Sequence, residues 1–251
     1  MRLAPNADAS AAPVELIDTA DLPDGGRLRL LRRGDDFSIR FGSEELMGNR
    51  VRHTEQALAT LGCRHLAQSG GRILIGGLGM GFTLGSALDT LPRDAKIIVA
   101  ELVPKILTWA RGPLAHIFGT TLSDPRVSIE MADIHDVIVR DAERFDAILL
   151  DVDNGPDGLI HLANERLYCN WGLRAAHGAL RPGGVLAIWS AYCDDAFVER
   201  LVTAGFEVDE ISIDAYPDEE NGKHTIWLAA KDAIALPTTP NRLSRAASRD
   251  A

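Results

Sequence analysis

A chain of 251 residues, 46% hydrophobic and 25% charged, can bury one substantial core plus a small appendage and need not form two full domains. Its formal net charge of −10 argues against a nucleic-acid partner, because binders of phosphate backbones carry clustered Lys and Arg. No run of about 18 apolar residues occurs and the opening MRLAPNADASAAPVE lacks an apolar stretch, so no membrane span or secretory signal is expected and the chain reads as cytoplasmic.

Residues 1–12 are small and polar, and residues 232–251 mix Pro, Ser, Thr and Arg without periodicity; both read as disordered tails. Between them, residues 13–49 alternate apolar and polar positions in VELIDTADL, RLRLLRRG and FSIRFG, separated by turns at DGG and Gly34–Asp36, which predicts a small antiparallel β unit. HTEQALATLGC then has helical spacing and leads into a nucleoside-binding domain over 50–231. There one theme repeats. RILIGGL, KIIVAEL, VSIEMA, FDAILLDVD and GVLAIWSA read as buried parallel strands. FTLGSALDTL, VPKILTWARGPL, IHDVIVRDA, NERLYCNWGLRAAHGAL and DDAFVERLVTAG read as the helices between and after them. EVDEISI and HTIWLAA close the domain as a hairpin across a polar loop. The expected architecture is α/β, a doubly wound, mostly parallel, seven-stranded methyltransferase-type sheet preceded by the small β unit.

Cys63, Cys169 and Cys193 are odd in number and far apart, and the seven histidines show no ligand spacing, so no disulfide framework or metal site is suggested. The informative segment is RILIGGLGMGFTLGSAL, where a strand runs through Gly76, Gly77, Gly79 and Gly81 into a helix. Glycines there let the backbone turn sharply and approach a ligand near a helix N-terminus. The dinucleotide fingerprint wants a further Gly or Ala three residues after Gly81, and Leu84 stands there, which disfavours NAD. Glu101 ends the next strand about 20 residues on, where a carboxylate can accept both ribose hydroxyls. Asp133 follows the third strand, where it can receive an adenine amino group. Two such acids beyond a glycine turn suit S-adenosylmethionine better than NAD, although each acid could also only cap a helix.

The order of ILIGGLGMGFTL, VAELVPKIL, DPRVSIEMAD, FDAILLDVDNGP and NERLYCNWGLRAAHGALRPGGVLAIWS resembles the spermidine synthase-like (polyamine aminopropyltransferase) branch of the class I methyltransferases. That resemblance implies an adenosyl-sulfonium cofactor, a small-molecule acceptor and, often, a homodimer. It also frays. The family's GGGDGG acid is replaced by Gly79. The Tyr-His-Glu segment reads His53-Thr54-Glu55, and in the DxxDP segment Asp151 matches the first acid while Asn154 replaces the second. These losses place methyl transfer from S-adenosylmethionine first. Aminopropyl transfer from decarboxylated S-adenosylmethionine, with methylthioadenosine as product, is the alternative, and a noncatalytic nucleoside-binding protein the second alternative. Either transfer is an in-line displacement at a carbon on sulfonium, which alignment alone can favour by about 7–11 kcal/mol. An amine acceptor must also shed a proton, for which Asp151 is the first candidate with Asp153 in support; Glu55, Asn154, Trp189 and Tyr192 are the candidate acceptor-binding residues. Trp227 and His224 are weighed as a further wall and a second base, with core packing and surface exposure as the alternatives.

Overall fold

Apolar residues two apart on a strand cover the same face of a sheet, so a strand apolar at every position must be covered on both sides. The computed structural model describes residues 12–23, 25–140, 142–156, 164–215 and 222–232. Except for Ala12 and Asp232, both expected tails lie outside the described residues, as does much of the polar loop expected before the last strand.

Strands β1 (Glu15–Asp21), β2 (Arg27–Arg33), β3 (Asp36–Phe41) and β4 (Glu44–Gly48) form an antiparallel sheet in the order β1-β2-β3-β4. Leu28, Leu30, Phe37 and Ile39 bury one face of it. β4, EELMG, is short and begins with two glutamates, so it offers no alternation that marks it as a separate strand in the sequence.

The second sheet contains β5 (Arg72–Gly76), β6 (Lys96–Glu101), β7 (Val127–Met131), β8 (Phe145–Leu150), β9 (Leu180–Ser190), β10 (Glu207–Asp214) and β11 (Lys223–Ala230), in the spatial order β10-β11-β9-β8-β5-β6-β7. β5 to β9 pair in parallel, and β11 runs antiparallel to both β9 and β10. Helix α1 (His53–Gly62) enters this sheet, and α2 (Phe82–Thr90), α3 (Pro104–Arg111), α4 (Ala115–Phe118), α5 (Ile134–Val139), α6 (Glu165–Tyr168), α7 (Asn170–Ala179) and α8 (Asp195–Thr203) follow. The helical run expected from Asn164 to Leu180 is two helices broken at Cys169, whose backbone is extended.

Each face of the large sheet has its own core. Ile73, Ile75, Val99, Leu149, Trp189, Ile226 and Leu228 lie on the face that carries α1, and the same cluster takes in Leu30 and Ile39 of the small sheet. Leu74, Ile98, Ile148, Leu186, Ile188 and Trp227 cover the other face with Tyr168, Leu173 and Phe197. The indole Nε1 of Trp109 on α3 also donates to Asp18 of β1 at 2.9 Å, tying the small sheet down. The chain moves outward from β5 to β7 and then returns to β8 on the opposite flank. This reversal opens a crevice at the C-terminal ends of β5 and β8, the place where such sheets bind ligands.

Candidate active site

The crevice begins with the glycine turn. Gly77, Gly79 and Gly81 all have positive φ, at 86°, 48° and 80°. A Cβ on Gly77 would stand 2.5 Å from the carbonyl oxygen of Asp151, so a side chain is excluded there both sterically and conformationally. The end of β8 can therefore lie against the turn, where Asp151 N–H donates to the Gly76 carbonyl at 3.1 Å.

Three linked chambers lie along this edge under the small sheet. The inner one is lined by Gly77, Gly79, Glu101, Asp133, Asp151 and Asp153, with Leu22, Leu28, Ile39 and Met47 among its apolar walls. Glu55, Gly79, Gly81, Asp151, Asp153 and Trp189 meet in the middle one. Arg50, His53, Glu55, Asn154, Trp189, Tyr192 and His224 line the outer one, together with Glu45 of β4. The structure thus brings the expected nucleoside-side residues Gly77, Gly79, Glu101, Asp133 and Asp151 to one cavity, and the expected acceptor-side residues Glu55, Asn154, Trp189 and Tyr192 to the adjoining one. Gly76 lies beneath the turn, buried as the end of β5, and lines no chamber.

Glu101 is 6% exposed and accepts N–H bonds from Leu78 at 2.9 Å and Val103 at 2.7 Å, one on each carboxylate oxygen. Burial pushes its pKa up and those backbone donors oppose the rise. The N–H groups of Leu102 and Gly79 also act on this carboxylate. Asp133 does cap α5, accepting from His135 N–H at 2.9 Å, and its other oxygen is ion-paired with Arg166. The capping alternative and the cavity position are both realised in this one side chain.

The most perturbed groups meet in the middle chamber. Asp151 is pushed up to about 6 by burial, against the hydrogen bond from Thr83 Oγ1 at 2.5 Å. Glu55 is pushed up to about 7, first by burial and then by the negative charge of Asp151. Both carboxylates line these chambers. Two such groups hold the first proton jointly and release it over a range above the usual carboxylate pKa. Asp153 has φ 53°, accepts from Asn164 Nδ2 at 2.9 Å and reaches both inner chambers. Beneath it the Tyr168 hydroxyl donates to the Val152 carbonyl at 3.1 Å, bracing the turn.

Four contributors escape the sequence reading. Thr83 holds Asp151, and its position in the first turn after a glycine loop was the available signal. Thr54 is fully buried, and its hydroxyl donates to Glu55 at 2.9 Å. Met47 hangs from β4 over Gly79, and Arg166 reaches Asp133 from a helix 33 residues further along. Trp227 is a core residue, fully buried, with its Nε1 donating to Glu210 at 2.9 Å and its ring against Phe197. His224 is in the outer chamber, its ring edge-on to Trp189 with centroids 4.7 Å apart. Among the described residues no group of three or more His, Cys, Asp or Glu is placed to hold a metal ion, and no helix is long and apolar enough to cross a membrane.

No family model matches the chain. A polyamine aminopropyltransferase of Nitrosomonas europaea is 29% identical over 106 residues, which is 41% of this chain and 31% of that protein. The aligned segment therefore spans less than a third of that curated relative. The crystal structure of a spermidine synthase from Thermotoga maritima superposes with a TM-score of 0.68 at 18% identity, covering 86% of this chain and 72% of that one. A spermidine synthase in complex with the transition-state analogue AdoDATO gives 0.70 at 20% identity, with 86% and 73% covered. The chain shares its fold with these spermidine synthases. The spermidine synthase-like fold accounts for both sheets, the small antiparallel one and the seven-stranded, mostly parallel one.

Proposed function

We propose that the protein is an aminopropyltransferase that uses decarboxylated S-adenosylmethionine and an amine acceptor. One observation carries this reading: among the described residues, every charged side chain on the inner and middle chambers is a carboxylate. A ligand carboxylate there would face Glu55, Glu101, Asp133, Asp151 and Asp153 with no cationic partner lining the cavity, at a cost that burial enlarges. A donor carrying an ammonium and a sulfonium complements the same wall. The expectation that placed methyl transfer first is thus reversed in favour of its alternative, and the curated and structural relatives point the same way.

When bound, decarboxylated S-adenosylmethionine supplies a sulfonium-bound methylene open to attack, with methylthioadenosine as leaving group. Glu101 would accept the ribose hydroxyls and Asp133 the adenine amino hydrogens, while Asp153 and Glu55 would hold the cationic chain. Asp151 would take the proton that the acceptor nitrogen must lose before its lone pair can form the new C–N bond. The C–S electron pair leaves with sulfur, so the step needs no redox partner. Trp189 would offer an aromatic face to the acceptor cation.

Gly79 favours a second reading, methyl transfer, because open backbone stands where a carboxylate would hold the donor's amino group. Incubation with each cofactor form and a panel of amines, followed by mass spectrometry, decides between them. A gain of one aminopropyl group supports the proposal, and a gain of one methyl group replaces it. Failure of methylthioadenosine and both cofactor forms to bind removes both readings.

A further inference from the structure

The outer chamber is wired to the carboxylate pair through a hydroxyl. Thr54 Oγ1 lies 2.9 Å from Glu55 Oε2 and 3.0 Å from His224 Nδ1, and it is completely buried. A hydroxyl has one hydrogen to give. While Glu55 is ionised that hydrogen goes to the carboxylate, so Nδ1 must carry the imidazole hydrogen and donate it to Oγ1, which leaves a lone pair on Nε2. Once Glu55 is protonated, its O–H can donate to Oγ1, the hydroxyl turns to Nδ1, and the imidazole hydrogen moves to Nε2. Both arrangements satisfy every group, and they differ in what His224 presents to the chamber.

We infer that Glu55 sets the hydrogen-bonding polarity of His224 through Thr54, so that the ring accepts an N–H of an incoming amine only while Glu55 is ionised. Acceptor capture is then coupled to readiness of the base, since Glu55 shares its protons with Asp151. The acceptor clause rests on the transfer reading above; the coupling itself does not. His224 stays neutral throughout, because burial and the neighbouring His53 depress it to about 4. Its ring faces the same side of the large sheet as Ile226, two residues on, and so reaches α1. The other charged or titratable groups facing the relay are Asp151 and Asp153 at the end of β8, His53 and Arg50 beside the start of α1, Glu45 on β4, and Tyr192 just after β9. His53 is held elsewhere, with Nε2 2.6 Å from the Asp214 carbonyl.

Ring-nitrogen NMR of the full chain with labelled histidine, assigned with His224→Gln, tests the coupling without any turnover. The expected result is Nδ1–H at pH 8 and Nε2–H at pH 5.5; the same tautomer at both overturns it. Thr54→Val removes the pH response and Thr54→Ser restores it. Should Thr54→Val fail to fold, Glu55→Gln serves instead: its amide cannot ionise, so His224 keeps a single tautomer at every pH, and a surviving switch overturns the relay. Titration with butane-1,4-diamine should move the Nε2 signal of wild type at pH 8 and not at pH 5.5. No movement at pH 8 overturns the acceptor role. Absence of any product from wild type with either cofactor form defeats the transfer reading alone and leaves the tautomer result standing.

Discussion

Lowering the pH from 8 to 5 protonates the Glu55–Asp151 pair, and the size of the resulting rate loss counts the charges the reaction needs. With the pair releasing protons near 6 and 7, about nine-tenths of molecules carry both charges at pH 8. At pH 5 only about one-thousandth carry both, and about one-tenth carry one. If a single carboxylate suffices, kcat/KM, which reports the groups of the free enzyme, falls about tenfold; if Asp151 must accept the proton while Glu55 holds a cation, it falls about a thousandfold. The assay is aminopropyl transfer followed by methylthioadenosine release at subsaturating acceptor, whose amines stay protonated across this range, so that its own ionisation does not set the slope. Asp151→Asn assigns the limb. It removes the proton acceptor, lowering kcat by roughly 10²–10⁴, and it also removes the charge that raises Glu55, so the residual activity titrates at lower pH. A wild-type profile flat to pH 5, or one that breaks only near the ordinary carboxylate value of about 4, would refute the reasoning.

Glu55→Gln should raise the melting temperature at pH 8 and change it far less at pH 4.5. The sign follows from a folded-state pKa raised above the unfolded one: the native protein holds the proton more tightly, and stability is lost as pH rises from about 4.5 through about 7; differential scanning calorimetry at the two pH values checks it. Gly77→Ala puts a methyl group 2.5 Å from the Asp151 carbonyl at φ 86°, and should cost more than about 2 kcal/mol in urea unfolding while abolishing nucleoside binding; a wild-type midpoint would contradict this. Glu101→Gln replaces one acceptor oxygen by an NH2 aimed at a backbone N–H, and calorimetric titration with methylthioadenosine should show affinity weakened about 10- to 100-fold.

Much of the scaffold is legible in the sequence because its signals are local. Ile73, Leu74 and Ile75 announce a strand covered on both faces, and the glycines after it announce a sharp turn. Glu101 and Asp133 follow from their places at strand ends, since a parallel sheet delivers every such end to one edge. The pairing of Glu55 with Asp151 is not legible, because the residues are 96 positions apart and the perturbation of each comes from burial that only the assembled chambers create. Thr83 and Thr54 look like ordinary helix-start residues; their partners are supplied by β8 and β11. Charge balance misled for a similar reason. Loss of the family's acids at Gly79 and Asn154 suggested a donor with an intact carboxylate, whereas the cavity wall collects acids from four separate segments.

The reversed direction of β11 has a consequence of its own. Five parallel strands can send only their finishing residues to the reactive rim, yet a strand running the other way arrives there with its opening residues. His224 reaches the rim by that route, while the later half of β11, from Ile226 to Ala230, stays locked in the interior. The start of this strand is therefore a place where new chemistry can be written beside the reaction without disturbing either the glycine turn or the packing that supports it.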